Sequence, residues 1–158
     1  MQRRFLLSVT CALLTCGASI GAEPKDADKK SDKPDAERII GTWTLESTSH
    51  KIDVFQGDGQ SVQLKFEGER FEFAVLKDGG KVIDIPGSYF LDDKQTPKLF
   101  DVTLTGDGGT TAVYAIYDFQ GDKLRIRIRD NNGPRPADFD SPADDCNTLT
   151  FVRDPSAG

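Results

Sequence analysis

The chain has a single histidine, a single tryptophan and three cysteines in 158 residues. With His50 alone, neither a His-based metal cluster nor a nucleophile triad with a spare histidine can be built. His50 falls between strand-like stretches and reads as a solvent-facing loop residue. Glycine-rich phosphate cradles are missing too. Gly57-Asp58-Gly59 and Gly106-Asp107-Gly108-Gly109 do not open helices, so they read as turns. Positive charge is in deficit, with 20 Lys and Arg against 26 Asp and Glu. That balance argues against nucleic acid and anionic membranes as partners and favours solubility.

The N-terminus carries an export signature. Arg3 and Arg4 precede an apolar stretch from Phe5 to Leu14, and Ile20-Gly21-Ala22 ends in the small residues that suit signal peptidase. The stretch is too short to span a bilayer, and no other segment is apolar enough to do so. Residues 1–22 are therefore expected to be a signal peptide, which makes the mature protein secreted or periplasmic. Arg3-Arg4-Phe5-Leu6 hints weakly at a twin-arginine signal. Leu13-Leu14-Thr15-Cys16 has some lipobox character, but Thr15 is larger than the usual residue, so lipidation at Cys16 is the lesser expectation. Cleavage after Ala22 takes the formal charge from −6 to −8 and leaves one thiol, Cys146. An exported protein with one cysteine must rest on its core rather than on internal disulfides. Cys146 reads as a small apolar filler at the start of a strand.

Residues 23–36 form a charged, Pro-containing run without aromatics, and read as a disordered linker. Residues 37–154 amount to one domain, long enough for a self-sufficient core. Residues 155–158 form a tail. A short helical turn capped by Asp35 is expected over 36–40.

Beyond it the signal is alternation. Eight strands are predicted at 41–48, 61–67, 70–77, 81–91, 98–104, 112–119, 123–129 and 147–153. A turn at Gly68-Glu69 pairs Glu67 with Arg70, Phe66 with Phe71, Leu64 with Phe73 and Val62 with Val75, which puts every apolar residue on one face. The loop 78–80 aligns Val75 with Ile83 and Phe73 with Ile85. A turn at Gln120-Gly121 pairs Asp118 with Lys123, Tyr117 with Leu124, Ala115 with Ile126 and Val113 with Ile128. A one-residue slip would turn each apolar set to water, so the agreement carries information. The predicted fold class is all-β: an eight-stranded antiparallel up-and-down barrel.

Strand parity turns Lys123, Arg125, Arg127 and Arg129 outward. This basic stripe reads as the wet face of an amphipathic strand, partly partnered by Tyr114 and Asp118. Loops 68–69, 92–97 and 120–121 are short and close one end. Loops 49–60 and 130–146 are long and share the other end, which is the expected mouth. Trp43 and Arg153 fall at the closed end. There an inward guanidinium lying on the indole would seal the floor.

These features resemble the lipocalins. Gly41-Thr42-Trp43 after a helical turn is similar to their opening Gly-x-Trp signature, and Arg153 stands where they keep a basic residue across that tryptophan. The chain also resembles an uncharacterised family of exported lipocalin-like domains frequent in planctomycete bacteria. The matching pieces run from Ile40-Gly41-Thr42-Trp43 through Leu64-Lys65-Phe66-Glu67-Gly68, Gly87-Ser88-Tyr89-Phe90-Leu91-Asp92, Thr96-Pro97-Lys98, Ile116-Tyr117-Asp118-Phe119 with Gly121-Asp122, and Arg135-Pro136 with Phe139. The resemblance implies a lipocalin-like fold and an exported location, and implies no activity.

No catalytic residue, cofactor or metal-ligand set can be named. Asp130, Asp138, Asp140, Asp144 and Asp145 crowd one loop, but their spacing matches no EF-hand and they read as surface acids rather than a calcium site. The expected function is a binding module for a small apolar molecule. Leu45, Leu64, Phe73, Val75, Ile83, Val113 and Ile128, with Val62, would line the interior, and Ile52, Phe55 and Phe139 would form a lid. The competing expectation is a filled barrel serving as an envelope scaffold or protein-interaction domain, because eight strands enclose room for side chains or for one small ligand. An enzyme is the third and weakest expectation.

Overall fold

The structure, a computed structural model, describes residues 33–50, 57–129, 133–141 and 145–155. The expected signal peptide, most of the linker, and Ile52 and Phe55 lie outside the described residues. A four-residue helix, α1 (Asp35–Arg38), precedes eight strands. These are β1 (Gly41–Thr48), β2 (Gln60–Glu67), β3 (Arg70–Lys77), β4 (Gly80–Asp92), β5 (Lys98–Gly106), β6 (Gly109–Gln120), β7 (Lys123–Arg129) and β8 (Cys146–Arg153). Each strand pairs antiparallel with the next, and β8 returns to β1 to close the barrel. No described helix is long and apolar enough to cross a membrane.

The β2–β3 register is the expected one, from Glu67 opposite Arg70 to Val62 opposite Val75. The β3–β4 pairs Val75–Ile83 and Phe73–Ile85 also form. The turn between them is shorter than expected, however. Asp78 and Gly79 both take positive φ, 50° and 81°, as a two-residue hairpin turn requires. The extra residue is absorbed as an irregularity beside Val82, which is exposed.

The β6–β7 hairpin departs from the expected register. Gln120 pairs with Lys123, Phe119 with Leu124, Asp118 with Arg125 and Tyr117 with Ile126. Gly121 has φ 57° and takes the first position of the turn, where its missing Cβ is needed. Each pairing thus moves by two residues, which preserves parity, so the same side chains still face inward. The segment 105–111 also differs from the expected loop. Thr105 pairs with Thr110 and Gly106 with Gly109, leaving only Asp107-Gly108 as the turn. These residues are polar because the hairpin extends past the core, so alternation could not reveal them.

The closed end is filled by rings. Trp43 lies 5.9 Å from Phe119, which lies 5.9 Å from Tyr117, which lies 6.4 Å from Phe100. Phe100 in turn meets Phe66 at 6.0 Å and Phe71 at 6.2 Å. Trp43, Phe66, Tyr117 and Phe151 are each at most 1% exposed. Such tilted and edge-on contacts each add about 0.5–1.5 kcal/mol beyond area burial.

Below this plug, the Trp43 indole donates to the Ile39 carbonyl at 2.7 Å, and the Arg153 guanidinium lies 4.4 Å over its ring. Arg153 donates to the carbonyls of Ile40 (2.6 Å) and Arg38. Arg153 is itself exposed, so it caps the floor from the solvent side rather than pointing inward as expected. Gly41 has φ 122°, and a Cβ on it would sit 2.6 Å from the Arg153 Nη1. Only glycine fits that position.

Helix α1 is held by a charge rather than a cap. Asp35 makes no side-chain capping bond; Pro34 occupies the N-cap. Instead the buried Asp35 carboxylate accepts from the Tyr117 hydroxyl at 2.9 Å and from Lys98 Nζ at 2.5 Å.

The β4–β5 ladder runs from Gly87–Leu104 to Asp92–Leu99. The first half of β4 pairs with β3 on one side and with none of the described strands on the other. At Gly87 the two strands approach so closely that a Cβ would lie 2.2 Å from the Thr103 carbonyl oxygen.

Candidate functional site

Alternation along each strand delivers apolar side chains to a common interior. The plug fills its lower part, and above the plug lies a cavity of about 270 Å³. Phe71, Phe100 and Phe151 form its base, each at most 5% exposed. Leu45, Phe73, Ile85, Leu104, Val113 and Ile128 form its upper wall and are only partly buried. Exposure therefore rises from floor to rim, as expected if the end between loops 49–60 and 130–146 is the mouth. Every residue lining this cavity is apolar.

Five of the expected ligand-binding residues line the cavity: Leu45, Leu64, Phe73, Val113 and Ile128. Val62 lines it as well. Val75 is 1% exposed and sits in the core cluster, and Ile83 packs against that cluster; neither is among the lining residues. Ile85, Phe100, Val102 and Leu104 line the cavity without having been singled out. Their signal was present in the alternation of β4 and β5.

Phe139 lies elsewhere. The described part of the long loop, 133–141, runs as a strap across the outer face of β6 and β7 rather than over the mouth. Arg127 Nη1 donates to the Phe139 carbonyl at 2.5 Å and its Nη2 to the Ser141 carbonyl at 2.5 Å. The Phe139 ring stacks under the Arg125 guanidinium at 4.5 Å. Arg129 donates to the Pro134 carbonyl at 3.0 Å. Arg135 donates to the Ala115 carbonyl at 2.6 Å, pairs with Asp101 at 2.6 Å and stacks over Tyr114 at 5.6 Å. Ile116 points outward by register yet is fully buried on this face, and Pro136 in the strap is buried too.

The basic stripe is therefore covered at Arg127 and partly covered at Arg125 and Arg129, and stays wet at Lys123. Arg127 is 8% exposed, and its charge is spent on carbonyls of the strap. Arg125 pairs with Asp118 and Arg129 with Asp145. Lys123 meets Glu46 of β1 at 2.5 Å, not Asp118 as the earlier register implied. Arg127 stands opposite Ile116, not Tyr114.

The remaining polar groups serve structure. Asp138 accepts from the backbone N–H groups of Asp140 (2.9 Å) and Ser141 (2.5 Å) and from the Ser141 hydroxyl (2.6 Å). Those bonds, led by the hydroxyl, hold its carboxyl below the ordinary range. Asp130 and Asp144 lie outside the described residues. Among the described residues, no three His, Cys, Asp or Glu side chains converge as metal ligands do. His50 is exposed, with Nδ1 3.1 Å from the Ser49 hydroxyl. Asn147, 1% exposed, accepts from the His50 N–H (3.4 Å) and donates to its carbonyl (3.2 Å), anchoring the start of loop 49–60. Cys146 is buried at the head of β8.

In the Asp35–Tyr117–Lys98 cluster a buried acid meets a buried phenol and a part-buried amine. Burial, then the bond to Asp35, pushes the Tyr117 hydroxyl far above its usual range. A general base needs a pKa near the working pH. Tyr117 is tuned the opposite way and holds its proton.

Comparison with known proteins finds no matching family model, no similar curated protein and no matching solved structure.

Proposed function

We propose that this protein binds one small apolar molecule inside its barrel, as an exported lipocalin-like module that does no chemistry. The supporting observation is the apolar cavity of about 270 Å³ above a sealed floor. Ligand sites span about 300–1,000 Å³, so this one, at about 270 Å³, falls just below that range and suits only a small molecule. Water is a poor occupant, because an ordered water needs two to four polar partners and the lining offers none. Left empty, the cavity leaves an apolar wall without packing partners on one side. A core that carries such a void, when its lower half is filled so tightly, is better explained by an occupant than by a scaffold. The leader-like N-terminus supports action outside the cytoplasm.

Native mass spectrometry of the protein purified from its own host tests the reading. A co-purified apolar mass supports it. A clean apo mass, together with no binding of an environment-sensitive hydrophobic dye, would sink it.

One observation favours the interaction-domain reading. Phe90 and Tyr114 are 62% and 49% exposed and flank Asp101 in one row across the outside of β4, β5 and β6. A partner that docked there would protect both rings.

A further inference from the structure

We infer that the ring pair Phe71–Phe100 acts as a ruler, so that the barrel takes an unbranched hydrocarbon chain, inserted methyl end first, of limited length. This rests on the binding reading above. The depth of the cavity, set against its volume of about 270 Å³, makes it slender. Along β5, Phe100 lies at its base and Leu104 at its rim, with Val102 between them on the wall. Four residues of strand span roughly 13 Å, and a barrel tilt near 40° reduces that to roughly 10 Å of depth. A single straight chain is the slimmest occupant of that depth, and the volume of about 270 Å³ leaves room for a short one. A branched or fused-ring molecule of equal volume would be too wide.

The base cannot yield. Phe71 and Phe100 are 5% and 4% exposed and lie 6.2 Å apart. Beneath them Phe66 touches both rings, at 5.2 and 6.0 Å, and Tyr89 holds its place by donating to the Gly68 carbonyl at 2.6 Å. A chain that reaches this layer finds no further room. Because the lining has no polar side chain, the ligand's polar end stays at the rim and contributes little to selection.

The test is calorimetric titration of straight-chain fatty acids from hexanoate to hexadecanoate, with the matching alcohols. For the wild type, affinity should rise about fourfold per methylene while carbons enter the cavity, then level off. Acids and alcohols should level off at the same carbon number. Phe100→Ala should move the limit to longer chains by at least two methylenes, about sixteen-fold for the longest chain gained. Val102→Phe, which raises the base without emptying the core, should shorten it by a similar step and keeps the test open if Phe100→Ala fails to fold. If chains bind but the limit stays put in a folded variant, the ruler is wrong and binding survives. If no member of either series binds the wild type, the binding reading falls and the ruler with it.

Discussion

Replacing Trp43 with alanine attacks the closed end at its centre. The indole is 1% exposed, lies against Phe119 at 5.9 Å, and is covered from below by Arg153 at 4.4 Å. Truncating a buried tryptophan to alanine costs about 3–5 kcal/mol. The change also orphans the Ile39 carbonyl, which the indole N–H reaches at 2.7 Å, and Ile39 is fully buried. An unpaired buried acceptor adds about 1–3 kcal/mol. The expected loss is therefore about 4–8 kcal/mol, a large share of the roughly 5–15 kcal/mol that holds a domain together. Urea denaturation followed by far-ultraviolet circular dichroism reads it. Trp43→Phe separates the two parts, keeping most of the ring contact while losing the N–H. Arg153→Ala and the double variant complete a cycle. The guanidinium is exposed, so its coupling to the ring should be only about 0.5–1 kcal/mol. A Trp43→Ala loss below about 1 kcal/mol would refute the sealed floor.

Gly41→Ala should cost about 1–3 kcal/mol in the same assay, because alanine is strained at φ 122° and its Cβ meets Arg153; a neutral result would mean that the floor arginine sits elsewhere. Arg127→Met should leave the strap carbonyls of Phe139 and Ser141 unpaired, exposing residues 133–141 to limited proteolysis while far-ultraviolet dichroism stays unchanged; an uncut strap would show that other contacts hold it. Tyr117 contributes stability that is fully present below its ordinary pKa of 10.0 and is lost as pH climbs toward its raised folded value. Spectrophotometric titration should therefore find it ionising together with alkaline unfolding, and an ionisation well before unfolding would contradict its burial against Asp35.

Period-two alternation made the barrel legible, since apolar parity survives errors in strand length. That is why the β6–β7 register could be misplaced by two residues while Tyr117 and Ile126 were still correctly assigned to the interior. The cavity wall was partly legible for the same reason. Parity says which residues face inward, but not which of them touch an open space. Val75 and Leu64 share a parity, yet only Leu64 lines the cavity. The strap was not legible. Arg127 and Phe139 are joined by a side-chain-to-carbonyl bond across the outer wall, and no periodicity records such a pairing. Asp35 was misread as a cap because an acid before a short helix is a common cap. Its partners Lys98 and Tyr117 are 63 and 82 residues away.

The flank of β4 that meets none of the described strands bears on how the protein behaves in a crowd. Unsatisfied backbone along a rim strand can recruit the same strand of a neighbour and seed fibrils. Here the kink beside Val82 spoils the flatness such stacking needs, Lys81 and Asp84 put charge along the segment, and Pro86 has no N–H to offer. These features weigh against pairing of this rim with the same strand of a neighbour.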